Sequence, residues 1–275
     1  MKPLEGAVAL VTGASRGVGK GIALGLGEAG ATVYVTGRTA EEGKGAVALP
    51  RTIYQTAQEV EHLGGRCIPI QCDHTQDEQT VQVFERIRRE QKRLDILVNN
   101  VWGGYEKFSD GIKAWMEPGH WAFPLSRWDK MFQAGVRAHY LCSLLAAPFM
   151  TAQKAGLIVN ISFTAGRKPH PNVAYGSAKA ASDHMARCLA HKLRKYKVAV
   201  VALYPGLVRT EAVLKANKHF DLSNSESPQF IGCAVAALAA DPKLMQKTGQ
   251  VLVAATIALE YGFTDIDGKQ PRPLI

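Results

Sequence analysis

Tyr175 stands four residues before Lys179, in Tyr175-Gly176-Ser177-Ala178-Lys179, and Ser162 lies 13 residues upstream of the tyrosine. In a helix, that four-residue spacing puts the phenol and the ammonium on one face. A phenol titrates near pH 10 in water, too high to serve as a base near neutrality. A lysine cation beside it favours the phenolate and lowers that value. A serine hydroxyl can hydrogen-bond a substrate oxygen and hold it near the tyrosine. Such a set suits proton transfer at an oxygen while a cofactor exchanges a hydride with the adjoining carbon. Alone, a Tyr and a Lys at this spacing are an ordinary helix-surface pair. They become a catalytic candidate in register with a nucleotide-binding turn.

That turn is Thr12-Gly13-Ala14-Ser15-Arg16-Gly17-Val18-Gly19, between the apolar run Val8–Val11 and a helical pattern. Glycine lets the backbone turn sharply and approach a ligand with no Cβ in the way. A helix N-terminus offers free N–H groups and a partial positive charge to a pyrophosphate. The spacing is G-x-x-x-G-x-G, so the G-x-G-x-x-G fingerprint supports it by analogy only. Gly13, Ser15, Arg16, Gly17, Val18 and Gly19 are the expected cofactor contacts. The next β-rich run ends Thr36-Gly37-Arg38, where an NAD site usually carries an acid. Arg38 and Arg16 instead suit a 2′-phosphate, which guanidinium groups bind through charge-assisted pairs. The cofactor expected is therefore NADP(H).

Seven apolar runs must position these groups: Val8–Val11, Thr32–Val35, Cys67–Ile70, Ile96–Val98, Leu157–Ile161, Val198–Leu203 and Val251–Val253. Most are continuous rather than alternating, as strands buried on both faces are. Helical spacing fills the gaps, as in Val81-x-x-Phe84-x-x-Ile87. The pattern predicts an α/β fold, a Rossmann-type doubly wound parallel sheet of about seven strands with helices on both faces. Gly30, Gly64-Gly65 and Gly156 stand where helices should stop. Ser126-Arg127-Trp128-Asp129 reads as a capping box.

Two stretches break the rhythm, 40–50 and 102–127; Trp102, Trp115, Trp121 and Trp128 all fall within 27 residues. The first three either wall an apolar pocket or pack a long loop onto the body. With no linker of Pro or Ser, residues 1–275 read as one domain, with a substrate loop near 102–127 and a mobile lid near 211–228. The charged residues, 33 Lys and Arg against 24 Asp and Glu, give +9. The basic residues are dispersed and no aromatic-interleaved stripe accompanies them, so no nucleic-acid partner is expected. Five scattered cysteines without a Cys-x-x-Cys pair fit reduced thiols, a cytoplasmic location and no metal site. No apolar run is long enough for a membrane span, and the N-terminus lacks the apolar core of a signal peptide.

Taken in order, these pieces resemble the short-chain dehydrogenase/reductase family in its single-domain form, through nearly the whole length. Besides the glycine turn and Ser162, Tyr175 and Lys179, the motifs are Asp73 after the third run, Asn99-Asn100 after the fourth, and Pro205-Gly206-Leu207-Val208-Arg209-Thr210 after the sixth. The resemblance implies that Asp73 contacts adenine, and it adds Asn99, Pro205, Gly206, Val208 and Thr210 to the cofactor site. It also gives Lys179 the nicotinamide ribose, and implies a homotetramer or homodimer through helices near 127–153 and 173–195. Expected pocket residues are Trp102, Tyr105, Phe163, His170 and Leu207, for an apolar ketone, aldehyde or secondary alcohol. Two positions depart from the pattern. Asn99-Asn100-Val101-Trp102 replaces Asn-Asn-Ala-Gly, and Gly135 stands where the family has a helix Asn that supports a proton-relaying water. A break in that helix would expose backbone carbonyls instead. His139 and His170 read as packing or loop residues rather than substitutes. The departures keep a second reading open, a non-catalytic NADP(H)-binding sensor on the same fold. Gly135–Cys142 and Leu259–Gly268 resemble one mammalian-type group within the family.

Overall fold

The structure is a computed structural model that describes residues 2–41, 52–104 and 124–274. Among these residues strands and helices alternate as β1 (Val8–Val11), α1 (Gly17–Glu28), β2 (Thr32–Gly37), α2 (Ile53–His62), β3 (Arg66–Gln71), α3 (Asp77–Gln91) and β4 (Ile96–Asn99). Then come α4 (Leu125–Phe132), a π-helical turn (Gln133–Arg137), α5 (Ala138–Gln153), β5 (Gly156–Ile161), α6 (Val173–Leu193) and β6 (Val198–Tyr204). A short α7 (Glu211–Lys215), α8 (Pro228–Ala240), β7 (Val251–Val253) and α9 (Ala254–Tyr261) complete the order.

The strands form one parallel sheet in the order β3-β2-β1-β4-β5-β6-β7. The doubly wound α/β sheet expected from the apolar runs is the one found. Both faces are covered, and the period of two along each strand divides the continuous runs between two cores. Ala9 and Val11 of β1 pack with Ile22 and Leu26 of α1 and Phe230 of α8. Val8 and Leu10 pack with Phe84 and Ile87 of α3 and Phe149 of α5. The chain lays β1, β2 and β3 outward in one direction, then crosses back to place β4 on the other side of β1. Parallel sheets bind ligands at the carboxyl ends of the strands flanking such a reversal. Here those ends lead into the glycine turn and Asn99–Trp102.

Glycines let α1 and α8 close on each other. A Cβ on Gly25 would lie 2.5 Å from the backbone of Gly232, and one on Gly21 only 2.0 Å from that of Pro228. The contact fixes α1, and with it the glycine turn, against the helix that follows the expected lid.

Two local expectations are corrected. Pro124 rather than Ser126 precedes the first residue of α4, without a side-chain cap, so the capping box does not form. Pro124 fits this place because its fixed φ and absent N–H suit a helix start. Gly156 lies inside β5; α5 ends at Lys154, which takes the left-handed conformation with φ 53°. The long helix expected near 127–153 runs without a gap from Leu125 to Gln153, and Gly135 lies in a π bulge within it. The stretch 40–50 from residue 42 onward, and the loop 102–127 between 105 and 123 with Tyr105, Trp115 and Trp121, lie outside the described residues.

Candidate active site

The glycine turn is shaped by positive φ, +68° at Gly13 and +56° at Gly17. It is stitched to the end of β4. Asn100 Nδ2 donates to the carbonyls of Thr12 and Gly13, both at 2.9 Å. The Thr12 hydroxyl accepts from the N–H groups of Asn100 and Val101 at 3.0 and 3.1 Å. A Cβ on Gly13 would fall 2.7 Å from Val101 Cα, and one on Gly19 2.3 Å from Asn100 Nδ2. The turn is therefore bare on the side that meets β4. At the start of α1, the Gly17 N–H donates to the Glu211 carboxylate at 3.0 Å. An anion thus already sits where a helix N-terminus binds phosphate, and the turn fits the pyrophosphate of a dinucleotide on this observation. Arg16 donates to Thr39 Oγ1 at 3.0 Å. Burial lowers the pKa of its guanidinium, Glu211 draws it up, and the charge of neighbouring Arg38 pushes it down. The charge of Arg38 therefore acts on Arg16 from just beyond β2, where Arg38 is exposed.

Asn99, which ends β4, and Asn100, which follows it, face opposite ways, as the strand alternation dictates. Asn99 is fully buried. Its amide donates to Ser143 Oγ at 3.0 Å and to Asn160 Oδ1 at 2.9 Å. Its side chain is thus engaged inside the protein. Asp73 accepts from the Thr75 N–H and hydroxyl at 3.0 and 2.8 Å, a local turn at the end of β3.

Ser162 follows β5 directly, and its N–H donates to the Leu203 carbonyl on β6 at 2.9 Å. Asn172 caps α6 by accepting from the Tyr175 N–H at 2.9 Å, which puts Tyr175 in the first turn. Lys179 stands one turn further on. Its ammonium donates to the Ile161 carbonyl at 3.2 Å, and the Ser162 hydroxyl donates to the Lys179 carbonyl at 3.3 Å. Helix and strand end are thereby locked together around the three side chains. Lys179 Nζ lies 5.5 Å from the Tyr175 ring centre and 4.0 Å from that of Trp102. Burial pushes the Lys179 ammonium down to about 7, with Asp183 drawing it the other way. Around the Tyr175 ring stand Trp102, nearly perpendicular to it at 5.4 Å, His170 at 5.1 Å and Phe163 at 6.3 Å.

His170 Nδ1 accepts from the Asn172 N–H at 3.0 Å, so a loop contact fixes its ring. His139 is buried, donates from Nε2 to the Val101 carbonyl at 2.9 Å, and is pushed down to about 3 by burial. It packs behind the site as a neutral imidazole. The π turn carries the Gly135 carbonyl to Ser182, whose hydroxyl donates to it at 3.3 Å.

Beyond β6, Pro205 and Gly206 are buried, Leu207 is half-buried, and the Gly206 N–H donates to Glu226 Oε2 at 2.7 Å. Val208 pairs with Glu226. The backbone of Glu226 bonds Leu207 and Arg209 at 2.8 Å each, and Arg209 reaches Ser225 and Asp265. Burial pushes the Glu226 carboxyl up to about 7. Thr210 caps the short α7, accepting from the Val213 N–H at 3.3 Å. Sequence reasoning missed Glu226, 20 residues from its partner, and buried Asp183, to which the Tyr204 hydroxyl donates. Asp183 had a signal, because it continues the four-residue stripe of Tyr175 and Lys179 along α6. Among the described residues, no group of three or more His, Cys, Asp and Glu side chains is placed to hold a metal ion, and no helix is long and apolar enough to cross a membrane.

Comparison with known proteins agrees with this geometry. The family described as short chain dehydrogenase matches residues 7–220. Dehydrogenase/reductase SDR family member 1 of Mus musculus is 43% identical over 97% of this chain and 85% of its own length. A solved 7α-hydroxysteroid dehydrogenase, complexed with NADH and 7-oxo glycochenodeoxycholic acid, superposes with a TM-score of 0.74 at 27% identity, covering 91% of this chain and 93% of that one. A metagenomic short-chain oxidoreductase in complex with NADP gives 0.71 at 29% identity, over 91% of this chain and 97% of the other. The parallel sheet, the glycine turn and these likenesses together make this chain an oxidoreductase belonging to the short-chain dehydrogenase/reductase family.

Proposed function

We propose that this oxidoreductase is NADP(H)-dependent and interconverts an apolar ketone or aldehyde with the corresponding alcohol, with Tyr175 as acid–base and Ser162 and Lys179 as its partners. The observation that supports the assignment most is the approach of the Lys179 ammonium to within 5.5 Å of the Tyr175 ring centre, on a helix that Ser162 and Ile161 bond to the end of β5, with the rings of Trp102 and Phe163 alongside. When bound, the nicotinamide supplies or accepts the hydride. Gly17 and its neighbours hold the pyrophosphate by their N–H groups once Glu211 withdraws. Arg16 and Arg38 hold the 2′-phosphate, and their proximity supports NADP(H) over NAD(H). Ser162 turns its hydroxyl from the Lys179 carbonyl to the substrate oxygen, a rotation open to any hydroxyl. Tyr175 then gives its proton to that oxygen, or takes it in the reverse direction, while Lys179 favours the phenolate. Trp102, Phe163, His170 and Leu207 border the substrate, with Tyr105 reserved for the loop outside the described residues. Of the segment 211–228, residues up to 224 act as a lid, and buried Ser225, Glu226 and Ser227 anchor it.

Homo-oligomerisation in the cytoplasm, as a tetramer or dimer, belongs to the same proposal. It is supported by Tyr140 and Leu144, exposed one turn apart on α5, and by exposed Val173 at the start of α6. The decisive experiment is NADPH oxidation by purified protein with a panel of apolar ketones, aldehydes and quinones. Turnover is expected to fall about 100- to 10,000-fold in Tyr175→Phe. Equal turnover in the variant refutes the role of Tyr175, and tight NADPH binding with no turnover across the panel favours the sensor.

A further inference from the structure

Lys179 is enclosed, only 6% exposed, yet carries three N–H donors. Among the described residues its ammonium reaches one hydrogen-bond acceptor, the Ile161 carbonyl at 3.2 Å. The face of Trp102, 4.0 Å from Nζ, supplies the rest of its surroundings on that side. A cation within about 6 Å of an aromatic ring centre is attracted by the ring quadrupole, most strongly for Trp and when water is excluded. The same indole stands at 79° to the Tyr175 ring with centres 5.4 Å apart, the edge-to-face arrangement that aromatic pairs favour.

The indole has room because of Gly135. A Cβ there would fall 2.3 Å from Cζ3 and 2.4 Å from Cε3 of Trp102. The obstacle is a rigid ring held between Gly135, Lys179 and Tyr175, so even alanine at position 135 must displace it. The two departures from the family pattern, 33 residues apart in the chain, are therefore two halves of one contact.

We propose that Trp102, seated against Gly135, is a positioning residue that holds the Lys179 ammonium on its face and the Tyr175 ring in a near-perpendicular contact. The proposal rests on the assignment of Tyr175 and Lys179 given above. It makes the glycine a consequence of the indole and gives the site an aromatic support where a polar side chain would otherwise stand. The titratable groups facing Lys179 are Tyr175 and Asp183 from α6 and His139, neutral by burial, from α5. None of them replaces the ring.

The test uses Trp102→Leu, which fills space without a quadrupole, Trp102→Phe, which keeps a weaker one, and Gly135→Ala, which pushes the ring from the other side. The first readout needs no turnover: the Lys179 side-chain nitrogen is titrated by NMR in the full-length protein, with Lys179→Met assigning its resonance. The midpoint is expected to fall by about 0.5–1.5 pH units in Trp102→Leu and Gly135→Ala, and by less than half of that in Trp102→Phe. The second readout is kinetic. A kcat reduced about 10- to 100-fold in Trp102→Leu, with the KM for NADPH within about two-fold of the parent and partial rescue in Trp102→Phe, is expected of a positioning role. A midpoint that is unchanged or rises in a folded Trp102→Leu protein overturns the proposal. If the midpoint moves as expected but no Tyr175-dependent turnover exists, the contact stands and the catalytic assignment falls.

Discussion

Replacing Glu211 by Gln should tighten cofactor binding while loosening the free protein. The Glu211 carboxylate accepts from the Gly17 N–H at 3.0 Å, at the first residue of α1, and its charge acts on Arg16. A carboxylate at a helix N-terminus contributes about 0.3–1 kcal/mol, up to ~2 when partly buried. A pyrophosphate needs the same N–H groups, so binding must first break this contact and then tolerate a carboxylate close by. Glutamine keeps the shape and removes the charge. The expected gain is about 1 kcal/mol, roughly five-fold in Kd for NADPH, read by fluorescence titration. The free variant should melt lower by about 1–3 °C, the counterpart of losing up to ~1 kcal/mol. Raising the salt should shrink the difference between the two proteins, because partly exposed charges are screened. Equal or weaker NADPH binding by Glu211→Gln would refute this reasoning. It would mean that Glu211 does not compete with the cofactor.

Two further outcomes are expected. Arg38→Asp should weaken NADPH binding about 10- to 100-fold more than NADH binding, measured by parallel titrations, because a carboxylate then faces the 2′-phosphate; equal losses would show that Arg38 is a solvated loop residue. Burial raises the Glu226 carboxyl from 4.5 to about 7. The folded protein thus holds a proton that the unfolded chain releases, so stability is fully present below about pH 4.5 and declines as pH rises through about 7. Glu226→Gln keeps an acceptor for the Gly206 N–H and removes this dependence. Urea unfolding should show a flatter profile between pH 5 and 8 and, at pH 8, a variant more stable by up to about 3 kcal/mol.

Much of the fold was legible because strands buried on both faces leave continuous apolar runs. All seven strands lie on those runs, and five of them extend beyond their run by one or two residues. The site was legible where its parts are consecutive or one helical turn apart, as Gly13 to Gly19 and Tyr175 to Lys179 are. It was not legible where function depends on contacts across the chain. No spacing rule links Gly135 to Trp102, or Gly206 to Glu226. The burial of Asn99 carried a usable signal. Alternation along β4 requires adjacent asparagines to face opposite sides, so only one of Asn99 and Asn100 can face the glycine turn. Ser126 misled because a capping sequence two residues downstream of Pro124 competes with a proline already suited to start the helix.

The pairing of Leu207, Val208 and Arg209 with Ser225 and Glu226 has a consequence for evolvability. It draws the two ends of the 210–224 segment into a narrow neck, anchored on one side by the sheet and on the other by the glycine seam of α1 and α8. With the neck already closed, doubling the length of what hangs from it costs only about 0.6 kcal/mol in loop entropy. The segment is therefore an exchangeable cassette. Beyond Glu211 its length and composition can drift while the turn at Gly206 and the start of α1 stay where they are.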